Sequence, residues 1–231
     1  MTSSEPLSVS IKEQANIAAT PDVAFVKLHI AGEGVSISDA VENVQQKTVE
    51  LGEYLRETYK QIRQVDVYDV YFGQKQERLG VESHSFPRPL VVRGLLVTAD
   101  PGDLTALHRV IDDGVKKGAL LMNPQRFPPY INGSLESALL FGLIASEEQE
   151  RRAIEECLNR AGNRAGRLAA AAGRELGELI DISDVTVEPS VGDPFHKEFA
   201  HVRRAFPTRF LSTTPHKVLV VASLTAKYRV R

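Results

Sequence analysis

The sequence predicts an α/β chain of the α+β type: a mixed, largely antiparallel sheet packed against one long and two shorter helices, in the order ββαββαβαββ. Two periods carry this prediction, apolar residues at every second position in segments such as 7–17 and apolar residues advancing by three and four over 36–58. A third observation is a long run of small residues at helical spacing within 146–172.

Leu7, Val9, Ile11, Ala15 and Ile17 fall on one face of a half-buried strand, with Ser8, Ser10 and Lys12 between them. Thr20-Pro21-Asp22 breaks it. Proline fixes its own φ and lacks a donor, while aspartate bonds nearby backbone, so the tripeptide reads as a turn into a second strand at 23–30, and the pair as a hairpin. Val41, Val44, Thr48, Leu51 and Leu55 line one face of an amphipathic helix over 36–58. Strand-like residues return at 62–72 and, after the polar, Pro-containing stretch 82–89, at 90–98, two strands for a long hairpin. Asp100-Pro101 has the form of an N-cap followed by proline at the first helical position, and Leu104, Leu107 and Ile111 mark the buried side of a short helix ending near Gly118. Pro124, Pro128 and Pro129 leave room in 119–132 only for an interrupted or edge strand.

Ser146-Glu147-Glu148-Gln149 reads as a capping box that opens the long helix, with Glu147 to Arg151 and Glu148 to Arg152 as charge pairs and Gly173 as the stop. Strands at 176–187 and 216–230 complete the order. Within the long helix Ala153, Cys157, Ala161, Ala165 and Ala169 recur every four residues, and Gly173 completes the series. Four residues turn a helix by about 400°, so these positions form one slowly drifting ridge that lets a neighbouring layer approach closely.

The chain has 231 residues, enough for one large domain or two small ones, and its 42% hydrophobic and 25% charged residues are ordinary for a globular protein. A net charge of -2 supplies no global attraction to a polyanion. The single cysteine, Cys157, excludes an intrachain disulfide and multi-cysteine zinc sites. The N-terminus lacks a basic n-region and no stretch approaches the roughly 18 to 20 apolar residues of a membrane span, so a cytoplasmic location without a membrane span is expected.

The small-residue ridge, followed by Leu176-Gly177-Glu178-Leu179-Ile180-Asp181-Ile182-Ser183-Asp184, resembles the corresponding region of the SIMPL domain family. Residues 7–19 followed by Thr20-Pro21-Asp22-Val23-Ala24 look like the family's opening strand and its Pro-Asp turn. The resemblance covers most of 7–187 plus the final strand, and makes 1–231 a single SIMPL-like domain with an inserted or lengthened loop at about 189–215. It implies an α/β domain, homo-oligomers in some members, and roles in stress, the cell envelope or signalling adaptors, with no established reaction. Three departures stand out: many bacterial members look exported, Cys157 stands where alanine is usual, and Asp184 replaces a frequent glutamate.

No nucleophile elbow, Walker loop or dinucleotide fingerprint is present, and Gly32-Glu33-Gly34 reads as a plain turn. His196 and His201 in the inserted loop read as solvated, and His29, His84, His108 and His216 belong to no local signature, so neither metal nor cofactor is expected. Asp112-Asp113 and Glu147-Glu148 diverge by about 100° on a helix and read as solvated faces. Cys157 reads as a buried alanine substitute rather than a nucleophile. The distinctive run is 195–210, where Phe195, Phe199, Phe206 and Phe210 alternate with basic residues that include Arg203, Arg204 and Arg209. Aromatics with arginines suit single-stranded nucleic acid, but the net charge favours self-packing, a subunit contact or a protein partner. The expected function is a non-enzymatic, self-associating scaffold or adaptor. The alternatives are a small-ligand binder or unrecognised enzyme with a pocket between sheet and helices, and a nucleic-acid binder through the Phe/Arg loop.

Overall fold

The computed structural model describes residues 7–75, 88–121, 137–189 and 206–231. The elements in chain order are β1 (Ser8–Ala19), β2 (Val23–Glu33), α1 (Ile37–Thr58), β3 (Ile62–Lys75), β4 (Arg88–Ala99), α2 (Leu104–Lys116), β5 (Leu139–Gly142), α3 (Glu147–Ala171), β6 (Leu176–Pro189), β7 (Leu211–Ser212) and β8 (Val218–Val230). The α+β class of the sequence analysis stands, with a two-residue strand, β7, added near the end. Of the stretch 119–132, Leu120 forms an isolated bridge with His29, 122–132 lie outside the described residues, and the regular strand β5 comes further on.

Two sheets replace the single mixed sheet expected. A three-stranded sheet has the order β1-β8-β6, a five-stranded sheet the order β3-β4-β2-β5-β7, and every neighbouring pair is antiparallel. The expected hairpin of β1 with β2 does not form. β1 alternates buried and exposed residues, as a strand covered on one face does, whereas Val23 to Ile30 of β2 are buried without a break. A strand buried on both faces belongs in the middle of a covered sheet, so β2 takes β4 and β5 as neighbours and Thr20-Pro21-Asp22 passes the chain from one sheet to the other. The long hairpin of β3 with β4 is present, running from Ile62 opposite Ala99 to Lys75 opposite Arg88.

Both sheets contain one plan. In the larger, β2 leads through α1 to β3, and β4 is slotted between β2 and β3, antiparallel to both. In the smaller, β1 and β6 flank β8 in the same way, with α3 before β6. Helix α1 packs on β2, β4 and β3, and α3 on β1, β8 and β6.

Ser36 caps α1 with a capping box: its Oγ accepts the Asp39 N–H at 3.1 Å and the Asp39 carboxylate accepts the Ser36 N–H at 3.0 Å. Helix α2 begins at Leu104, so it is capped by Asp103, which accepts the Ala106 N–H at 2.9 Å, and not by Asp100, whose carboxylate accepts from Arg63 Nε at 2.7 Å. At α3 the expected capping box is also absent. Ser146 has helical dihedrals and donates its hydroxyl to Glu150 at 2.6 Å. Arg151 pairs with Glu148 at 2.7 Å and with Glu155, rather than with Glu147. Ala153, Cys157, Ala161, Ala165 and Ala169 are all buried, the first four in one core with Ile11, Ala15, Val220, Leu224 and Tyr228 of the smaller sheet. Gly173 is exposed, and its φ of +69° ends the helix in the left-handed region.

Candidate functional site

The two described phenylalanines of the Phe/Arg run pack into the chain's own interior. Phe195, Phe199, Arg203 and Arg204, with His196 and His201, lie outside the described residues. Phe206 is buried edge-on against Phe25, with ring centroids 5.0 Å apart at 86°. Phe210 is 1% exposed in the core under α3. Arg209 reaches Glu150 at 2.8 Å and lies over the Phe210 ring. The Thr208 hydroxyl donates to the Leu143 carbonyl at 2.6 Å, and the Leu143 N–H donates to the Phe210 carbonyl at 3.1 Å.

Beside these anchors sits Asp22. Its two carboxylate oxygens accept the N–H groups of Ile144 and Ala145, each at 2.8 Å, and its own N–H donates to the Gly142 carbonyl at 3.0 Å. The Pro-Asp turn therefore fixes the connection between β5 and α3. Sequence alone marked Asp22 as bonding to nearby backbone; its partners lie 122 and 123 residues away.

At a separate place Asp113 joins α1 to α2. One of its carboxylate oxygens accepts from Tyr59 at 2.7 Å and Tyr54 at 3.0 Å, and the other from Lys116 at 2.8 Å. The bonds from Lys116, Tyr59 and Tyr54 hold the Asp113 carboxyl down at about 2. Burial, followed by the bond to Asp113, pushes the Tyr59 phenol up. Lys117 lies 3.9 Å over the Tyr54 ring. The reading of Asp112-Asp113 as a solvated pair is thus corrected for Asp113. Only three-dimensional contact between the end of α1 and the end of α2 assembles the group.

Lys27 and His29 were missed as a unit. They are 1% and 4% exposed, on the same face of β2 as Phe25, and the Tyr68 hydroxyl meets His29 Nε2 at 2.9 Å. Tyr68 lies flat over Gly94, where an added Cβ would come within 2.7 Å of the ring. The signal was available: a lysine and a histidine two apart inside an apolar run.

Cys157 is buried among the ridge alanines. Burial pushes its thiol up and the Glu13 charge adds to the shift, which suppresses the thiolate. A hollow of about 640 Å³ runs along α1, lined by residues of that one helix such as Ile37, Val41 and Glu42, so no second described element brings polar groups to it. A cleft of about 300 Å³ lies between Asn16 and Ile17 of β1 and Arg152, Glu156 and Arg160 of α3. Among the described residues no group of His, Cys, Asp or Glu has the arrangement to hold a metal ion, and no helix is long and apolar enough to cross a membrane.

The family model described as SIMPL, protein of unknown function (DUF541), matches residues 9–228. The chain belongs to the SIMPL family. The match runs from β1 into β8, so the three described helices and nearly all of both sheets lie within the SIMPL region. No curated protein matches this SIMPL chain.

Proposed function

We propose that this SIMPL protein is a non-enzymatic, self-associating scaffold or adaptor. The observation that carries the reading is the free side of β1. Among the described residues the smaller sheet ends on this 12-residue strand, whereas the larger sheet covers the corresponding side of β2 with β5. An unpaired row of backbone N–H and C=O groups is a template for another chain. The side chains with chemical reach point the same way, since Asp22 and Asp113 are spent on joining elements and the Cys157 thiol is suppressed. A cytoplasmic setting belongs to the same proposal, because a chain with one buried thiol needs no oxidising compartment. Light scattering at micromolar concentration tests the reading: it expects a mass above that of one chain, and a strict monomer contradicts it.

A further inference from the structure

We infer that β1 pairs antiparallel with β1 of a second copy, about a twofold axis through Gln14; the inference rests on the self-association proposed above and names its surface. Val230 donates its N–H to the Leu7 carbonyl at 2.9 Å, which sets the alternation of the β1–β8 ladder. Odd-numbered β1 residues bond to β8. The even-numbered ones, Ser8, Ser10, Lys12, Gln14, Asn16 and Ala18, turn their backbone groups to the free side, and all six are exposed.

The other long edges are guarded. β3 carries two register irregularities. β6 carries three, and its Glu178, Asp181, Asp184 and Glu188 are accompanied by no lysine or arginine. Bulges and like charges are the usual devices against edge pairing, so the exposed Leu179, Ile180, Ile182 and Val185 of β6 lie on a strand that repels its own copy. β7 has two residues. β1 pairs with β8 from Ser8 to Ala19 without one irregularity and contains no proline.

Charge excludes two registers, and overlap along Ser8–Ala19 chooses among the rest. A twofold at Lys12 sets that lysine against its copy, and one at Glu13 does the same with a carboxylate. At Gln14 the bonded pairs become Gln14 with Gln14, Lys12 with Asn16 and Ser10 with Ala18, while Ile11 faces Ile17 and Glu13 faces Ala15. That register makes about ten backbone hydrogen bonds. The fold contains its own precedent: Val23 to Val26 of β2, the strand equivalent to β1, already takes β5 on this side. The helices allow it too. α3 rests on β1 and β8, and with strands about 4.8 Å apart the two copies of α3 would lie about 10 Å from each other, an ordinary helix packing distance. The facing flank carries Arg152, Glu156 and Arg160, which offers both signs to its copy.

Cysteine cross-linking of the full chain tests the register. Gln14→Cys places the two thiols in one bonded pair with Cα atoms about 5.5 Å apart, within disulfide reach. Ser8→Cys leaves them about 40 Å apart, and the buried Cys157 contributes no background. The expected result is covalent dimer from Gln14→Cys and none from Ser8→Cys, with Gln14→Pro weakening dimerisation at least tenfold while its circular dichroism stays that of the parent. An assembly that cross-links at neither position, or equally at both, overturns the β1 edge and leaves self-association standing. A monomeric parent chain overturns both.

Discussion

The Asp22 carboxylate holds the backbone N–H of Ile144 at 2.8 Å, so the turn leaving the smaller sheet is bonded to the connection leaving the larger one. Both ends of the segment β2 to β5 are fastened at one point. Asp22→Ala removes two charge-assisted bonds at once, and a loss of about 2 to 3 kcal/mol is expected in urea denaturation. Asp22→Asn keeps one acceptor and should lose about half as much. Tyrosine fluorescence and far-ultraviolet circular dichroism should move together in both variants, as they would for one SIMPL-like domain; separate transitions would speak for two.

The Asp113 group predicts pH dependence at both extremes. A carboxyl held down at about 2 contributes stability that is complete above the unfolded value of about 4 and disappears as pH falls from there to about 2. The raised Tyr59 phenol works in the opposite sense: its contribution is complete below about 10 and is lost as pH rises further. Denaturation midpoints across pH should decline less steeply at the acid end in Asp113→Asn and at the alkaline end in Tyr59→Phe. Unchanged profiles would remove Asp113 as the tie between α1 and α2.

Two glycines separate backbone from side-chain crowding. A Cβ on Gly32 would lie 2.6 Å from the Ala40 carbonyl oxygen and the Val44 nitrogen, fixed atoms of α1. Gly32→Ala should therefore cost about 3 kcal/mol or more by forcing α1 off β2. Gly94→Ala first meets the Tyr68 ring, a side chain that can shift, so its cost should be about 1 to 2 kcal/mol with the Tyr68 to His29 bond broken. Equal losses in thermal melts would contradict the distinction.

Asp184 is the one described non-glycine residue in the left-handed region, with φ 51°, inside a bulge of β6. Aspartate tolerates that conformation and here accepts the Thr225 hydroxyl at 3.0 Å. Asp184→Gly should be nearly neutral, while Asp184→Val should lose about 1 to 2 kcal/mol by chemical denaturation. A valine variant as stable as the parent would show that the bulge relaxes.

Much of the fold was legible in periodicity. The ridge from Ala153 to Ala169 is buried because a spacing of four keeps side chains on one helix face, a property of the residues themselves. Alternation in β1 named its buried face but not its neighbour, since period two is the same beside β2 or β8; the hairpin reading failed there. The candidate sites were harder to read. Asp22, Asp113 and Lys27 take their roles from partners distant in sequence or from a sheet covered on both faces. The aromatic spacing of Phe206 and Phe210 is equally suited to a core and to a contact surface, and packing decided for the core.

The free side of β1 remains the centre of the functional account. Amide hydrogen exchange followed by NMR at two protein concentrations reads it residue by residue. The N–H groups of Ser10, Lys12, Gln14, Asn16 and Ala18 should be protected at high concentration and exchange on dilution, while those of Ile11 and Ala15, bonded to β8, stay protected throughout. Fast exchange of the even-numbered set at every concentration, beside a protected odd-numbered set, would contradict the account.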